Sequence, residues 1–130
     1  MIYLDASAIV TAVVRRPHAS ALREFLESRP QEETCTNTIG FVEVVRTCDL
    51  IGSFPNLMAR LLTDHTEIPL NDQVRDDAAR VPGSVRSLDA IHVATAARLG
   101  RDLTALVTYD QRMAEVARSV GLPVAAPGSA

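Results

Sequence analysis

Ile2-Tyr3-Leu4-Asp5 opens the chain with three apolar residues that end on an acid. A run this short, bounded by a charge, predicts a strand buried on both faces, as in a parallel sheet. Residues 6–14 are rich in Ala and Val and stop before Arg15-Arg16-Pro17, which predicts a short helix that the proline ends. Leu22, Phe25 and Leu26 then recur at helical spacing within residues 18–29, and Pro30 closes them. Residues 34–36 read as a strand. Residues 38–50 read as a helix with Ile39, Val42, Val45 and Leu50 on its buried side.

Ser53-Phe54-Pro55 predicts a helix start with proline in its first turn, followed by a buried stripe of Leu57, Met58, Leu61 and Leu62. A strand over 66–70 follows. Asn71 is placed to cap a helix running to Val81, and Ser87 to cap one over 88–99 that Gly100 ends. Ala105-Leu106-Val107 reads as a strand, Asp110 as the cap of a last helix closed by Gly121, and residues 123–126 as a final short strand. Alternating strands and helices predict an α/β fold, a three-layer sandwich with a mainly parallel central sheet flanked by helices. Residues 1–126 are expected to form a single domain, and residues 127–130 a short flexible tail.

Composition narrows the chemistry. The chain has 130 residues, a formal net charge of −3, and thirteen cationic side chains, all of them arginine. Without lysine there is no Schiff-base chemistry, no P-loop and no lysine general base. The acidic balance argues against a protein that grips nucleic acid mainly through a basic face. Aromatic residues are only 4% and Trp is absent, which argues against stacked-base platforms. Cys35 and Cys48 form no metal-binding spacing and are expected as two reduced, buried thiols. The N-terminus has no basic segment ahead of an apolar one, and no apolar run approaches the ~20 residues of a membrane span. A cytoplasmic location with no membrane partner is the expectation.

Four acids stand out. Asp5 directly follows the first strand and Asp110 follows the strand ending at Val107; Asp89 falls in the first turn of a helix. Glu43 interrupts the apolar run Phe41-Val42-Glu43-Val44-Val45. Functional groups of open α/β sheets gather beyond the carboxyl ends of the strands. Asp5 and Asp110 could equally be helix caps, Asp89 could only be favoured by a helix dipole, and Glu43 could pair with Arg46 or another arginine. Converging carboxylates cannot all stay ionised without a counter-charge, and the usual one is Mg²⁺ or Mn²⁺.

These same stretches resemble the motifs of the PIN-domain family. Ile2-Tyr3-Leu4-Asp5-Ala6-Ser7-Ala8 resembles its opening motif and Phe41-Val42-Glu43-Val44-Val45-Arg46 its second acidic motif. Residues 87–96, Ser-Leu-Asp-Ala-Ile-His-Val-Ala-Thr-Ala, are similar to the third, and Leu106-Val107-Thr108-Tyr109-Asp110 to the fourth. Tyr109 departs from the small or charged residue common at that place. Within the family the chain looks like the VapC-type toxins of toxin–antitoxin pairs.

The resemblance implies a metal-dependent endoribonuclease with Asp5, Glu43, Asp89 and Asp110 as its catalytic and metal-holding acids. Ser7 and Thr108 match supporting hydroxyl positions. It also implies an RNA substrate, with transfer RNA the family expectation, a homodimer, and a cognate antitoxin that occludes the site. In this reading Asp5, Asp89 and Asp110 hold one or two Mg²⁺ or Mn²⁺ ions, and Glu43 orients a water or meets a second ion. Arg86 and Arg112 are the expected RNA phosphate contacts; Arg15 and Arg16 read as surface residues. His92, three residues after Asp89, reads as a packed or hydrogen-bonded histidine rather than a ligand. An inactive PIN-like binding module and a DNA nuclease are the alternatives. With four acids assigned to a metal site, thirteen arginines face twelve remaining acids, and the objection from net charge weakens.

Overall fold

The computed structural model describes residues 1–129. Strands β1 (Ile2–Leu4), β2 (Thr34–Asn37), β3 (Thr66–Ile68), β4 (Ala105–Val107) and β5 (Val124–Ala125) form one sheet in the order β3-β2-β1-β4-β5. Every pairing in it is parallel. Helices α1 (Ala6–Val14), α2 (Ala19–Glu27), α3 (Thr38–Ile51), α4 (Leu57–Asp64), α5 (Asp72–Ala78), α6 (Ser87–Ala97) and α7 (Gln111–Ser119) connect the strands. The three-layer α/β architecture is as the sequence predicts.

Alternation along β1 explains the layers. Ile2 and Leu4 point into a core with Ile9 of α1, Leu22 of α2 and Phe41 and Val44 of α3. Tyr3 points the other way, into a core with Val93 of α6, Leu106 of β4 and Met113 of α7. Successive strand side chains face opposite sides, so a strand buried on both faces must supply both cores. Cys48 lies in the first core and Cys35 in the second. Both thiols are free and on opposite faces of the sheet; burial raises both, Cys35 to about 12.

The order of the strands positions the site. The chain leaves β1 toward β2 and β3 on one side, then returns to β4 and β5 on the other. Two neighbouring strands whose connections run in opposite directions leave a crevice at their carboxyl ends. Here those strands are β1 and β4, with Leu4 paired to Val107. Asp5 and Thr108 are the next residue on each.

Several local expectations need correction. On α3 the buried residues are Gly40, Phe41, Val44 and Cys48, while Val42 is 46% exposed and Leu50 90%. The predicted stripe was one residue out of phase, because β-branched residues on both sides of this helix blur its period. The correct phase moves Glu43 from the core to the flank of the helix. On α4, Leu57 and Leu61 are buried but Met58 and Leu62 are exposed. That helix starts at Leu57, because Asn56 adopts a left-handed conformation (φ 60°) behind Pro55, and the pair makes a turn rather than a first helical turn. Helix α5 ends at Ala78 instead of Val81.

Ser87 is the first residue of α6 rather than its cap; Arg86 occupies the capping position without a side-chain hydrogen bond to the helix. Residues 127–129, expected as a loose tail, touch the body. The Tyr109 hydroxyl donates to the Pro127 carbonyl (2.8 Å), and a side chain at Gly128 would strike Ala21 and His18. Ala130 lies outside the described residues.

Candidate functional site

Parallel pairing of β1 with β4 brings together residues far apart in sequence. The Thr108 hydroxyl donates to Asp5 Oδ2 at 2.6 Å. Asp5 Oδ1 accepts from the Ser7 hydroxyl (2.7 Å) and the Ala8 amide (2.9 Å), so Asp5 also caps α1. Ser7 in turn accepts from the Tyr109 amide at 3.0 Å, which ties the loop after β4 to the start of α1. Both hydroxyls expected to support the site therefore grip Asp5. Despite three donors, burial dominates and pushes the Asp5 carboxyl above its ordinary range. Among the described residues Asp5, 2% exposed, has no salt-bridge partner.

Asp110 combines the two roles weighed for it. Its Oδ1 caps α7 through the Arg112 and Met113 amides (2.9 and 3.2 Å), while Oδ2 faces Arg86 Nη2 at 4.0 Å. A carboxylate has lone pairs enough for both tasks. Asp89 is buried, and Arg86 clamps it from two atoms, Nε at 3.1 Å and Nη2 at 3.4 Å. Glu43 is held by His92 Nε2 at 2.7 Å, not by an arginine. His92 is 1% exposed and sits in a hydrogen-bonded network.

Asp5, Glu43, Asp89 and Asp110 line one cleft of about 240 Å³. Four carboxylates meet there with only Arg16 and Arg86 as guanidinium neighbours, and Ser7 and His92 also line it. Arg112 is on an adjoining cleft that shares Arg86, Asp89 and Asp110. Arg15 lies away from the acids, in a separate depression with Arg16 between α1 and α2.

The oxygen-only donor set suits a hard divalent cation. Among the described residues no three carboxylates or other metal-binding groups stand close enough to enclose an ion directly. Magnesium keeps several of its waters, so acids spaced around a cleft are compatible with it. The buried, unpaired Asp5 carboxyl is the strongest local sign that a cation is wanted.

Comparison with known proteins decides the family. The PIN-domain family model matches residues 2–119. The chain is a PIN-domain protein of the VapC type. It is 40% identical to ribonuclease VapC47 of Mycobacterium tuberculosis (strain CDC 1551 / Oshkosh) over 99% of this chain and 98% of that relative. Identity to ribonuclease VapC46 of M. tuberculosis (strain ATCC 25618 / H37Rv) is also 40%, over 97% of each chain. The fold of VapC20 from M. tuberculosis, a sarcin-ricin-loop-cleaving toxin, superimposes with a TM-score of 0.73 at 14% identity, covering 94% of this chain and 96% of that one. FitAcB from Neisseria gonorrhoeae superimposes with a TM-score of 0.71 at 20% identity, covering 98% of each chain.

Reading the sequence alone missed Tyr3 and Asn37, and it read Arg16, which lines the cleft, as a surface residue. Tyr3 is within a strand and Asn37 before a helix, positions with ready structural explanations. A hydroxyl and an amide flanking an acidic motif in a strand with no solvent face were the available signal.

Proposed function

We propose that this VapC-type protein is a divalent-metal-dependent endoribonuclease, the toxin of a toxin–antitoxin pair, with its active centre in the four-carboxylate cleft. The observation that carries the reading is the convergence of Asp5, Glu43, Asp89 and Asp110 on one cleft at the β1–β4 crevice. The names of the curated relatives support ribonuclease activity.

Asp5, Asp89 and Asp110 would hold the cation. Bound Mg²⁺ or Mn²⁺ supplies a water of lowered pKa and offsets charge on the scissile phosphate. Ser7 and Thr108 keep both oxygens of Asp5 fixed. Glu43 would orient a water bound to that cation or meet a second ion. Arg86 and Arg112, on the rim, contact phosphates of the RNA. The cleaved strand ends in a 5′-phosphate and a 3′-hydroxyl. The proposal includes a cytoplasmic homodimer whose cognate antitoxin covers the cleft. Exposed Leu50, Ile51, Met58 and Leu62 support protein contacts of that kind. No helix of the described residues is long and apolar enough to cross a membrane.

The test is to incubate single-stranded RNA and DNA of one sequence with the purified protein and Mn²⁺. RNA alone should be cut by the wild type, and neither by Asp89→Asn. Equal cutting by wild type and variant would refute the assignment.

Arg86 now neutralises two of the acids a cation would need. An ion pair to an exposed arginine is worth roughly 0.2–1 kcal/mol, so Arg86→Gln should tighten Mn²⁺ binding by up to about fivefold while weakening RNA binding. Titration calorimetry reads the first effect; weaker Mn²⁺ binding would show Arg86 to be a scaffold for Asp89 instead.

A further inference from the structure

Behind Glu43 lies a chain of buried hydrogen bonds that the reaction as described leaves unused. The Tyr3 hydroxyl stands 2.7 Å from His92 Nδ1, and it accepts from the Asn37 amide N–H at 3.3 Å. Asn37 Nδ2 also approaches His92 Nδ1, at 3.4 Å. On its other side His92 Nε2 is 2.7 Å from Glu43 Oε1. Tyr3, Asn37 and His92 are each at most 1% exposed.

One assignment of donor and acceptor roles satisfies every contact along this chain. Asn37 Oδ1 accepts from the Gly40 amide at 2.7 Å, which fixes the side chain's other terminus as NH₂, a donor only. His92 Nδ1 therefore faces the Asn37 amide and the Tyr3 hydroxyl. The Tyr3 hydroxyl accepts the Asn37 backbone N–H through a lone pair and has its own O–H to donate. With Nδ1 as the bare nitrogen, both the Tyr3 O–H and the Asn37 side-chain N–H find an acceptor there. The ring proton is then on Nε2 and is donated to Glu43 Oε1.

The main chain is shaped for this contact. A Cβ on Gly40 would come within 3.3 Å of His92 Cε1 and collide with the Thr36 hydroxyl. Glycine lets the first turn of α3 close on the imidazole, one turn before Glu43.

We infer that Tyr3, Asn37 and His92 form a positioning relay that fixes the His92 tautomer, engages Oε1 of Glu43, and leaves Oε2 as the oxygen free to serve the cleft. A glutamate has three rotatable side-chain bonds, and in a cleft it would otherwise sample several orientations. The relay removes that freedom from within the core. Partners that orient a site carboxylate or ligand in this way are commonly worth about 10- to 100-fold in metal affinity. The inference rests on reading the cleft as a cation site.

The test is Mn²⁺ titration calorimetry on metal-free protein, with circular dichroism as the fold control. His92→Leu, which cannot donate to Glu43, should weaken Mn²⁺ binding about 10- to 100-fold. His92→Gln places an N–H near the same point and should restore affinity to within about threefold of wild type. Tyr3→Phe keeps the ring but loses one donor to Nδ1, and should weaken binding by about three- to tenfold. Asp5→Asn separates the inference from its premise. If Asp5→Asn and wild type bind Mn²⁺ alike, the cation site itself is wrong. If Asp5→Asn loses binding but His92→Leu and Tyr3→Phe match wild type, the site stands and the relay is overturned. Should His92→Leu not fold, Tyr3→Phe decides alone: weakened binding supports the relay, and wild-type affinity overturns it. Equal loss in His92→Gln and His92→Leu also counts against it, since the restored donor would then have done nothing.

Discussion

Asp5→Asn is expected to lower RNA cleavage at least about a hundredfold, or roughly 2.7 kcal/mol of barrier. The substitution is nearly isosteric. It keeps an acceptor for the Ser7 hydroxyl and the Ala8 amide, which both bond to Oδ1. What it removes is the charge, in the one acid that is buried, gripped by two hydroxyls and without a cationic partner among the described residues. Loss of activity here should come with a gain in metal-free stability at neutral pH, because there the unfolded chain holds Asp5 as a solvated carboxylate that folding must desolvate or protonate. Burial raises the folded-state pKa of Asp5 above its unfolded value. Its stabilising contribution is therefore complete below the unfolded value and is lost as pH rises through the folded one. Melting temperatures in EDTA should show Asp5→Asn the more stable protein at neutral pH, with the difference shrinking on acidification. A variant that is both less stable at neutral pH and fully active would contradict this account of Asp5.

Phe41→Ala should carry the largest stability cost of any side-chain truncation near the site. Phe41 is 2% exposed in the core where α3 meets α1 and β1. Truncating a buried phenylalanine costs about 3–5 kcal/mol, from lost burial and the cavity left behind. For a domain of this size that corresponds to a fall in melting temperature of roughly 10–20 °C. Typical domains have only about 5–15 kcal/mol in total. Thermal unfolding followed by circular dichroism measures it. Because Phe41 seats the helix that carries Glu43, cleavage should also fall at temperatures where the variant is still folded. A fall of under about 3 °C would mean that α3 is held chiefly by other contacts.

Much of this was readable from local signals. Asp5 was legible because a three-residue apolar run ending on an acid has few other readings, and Asp110 because a cap after a strand is written in adjacent residues. The hydroxyls Ser7 and Thr108 were expected to support the site through the family resemblance, and parallel register between β1 and β4 brings both to Asp5. The partner of Glu43 was not legible, since His92 is 49 residues away and meets it only when α3 and α6 flank the same crevice. The phase of α3 was misread because Val and Ile on several faces make its period ambiguous; tertiary packing, not propensity, selects the face that carries Phe41 and Val44. The ion pair of Arg86 with Asp89 was not legible, because it depends on where α6 starts. The sequence placed that start one residue late.

The charge pattern now has a structural meaning. Four of the acids behind the net charge of −3 line one cleft with two arginines, so negative potential is concentrated where a cation would sit.

The most direct test of the central claim is cleavage of a single-stranded RNA by the purified protein in EDTA, followed by return of Mn²⁺. No cleavage should occur in EDTA. Mn²⁺ should restore it, with 5′-phosphate and 3′-hydroxyl ends on the products. Undiminished cleavage in EDTA, ending in a 2′,3′-cyclic phosphate, would contradict the account, because the neighbouring ribose hydroxyl and not a metal-activated water would then be the nucleophile.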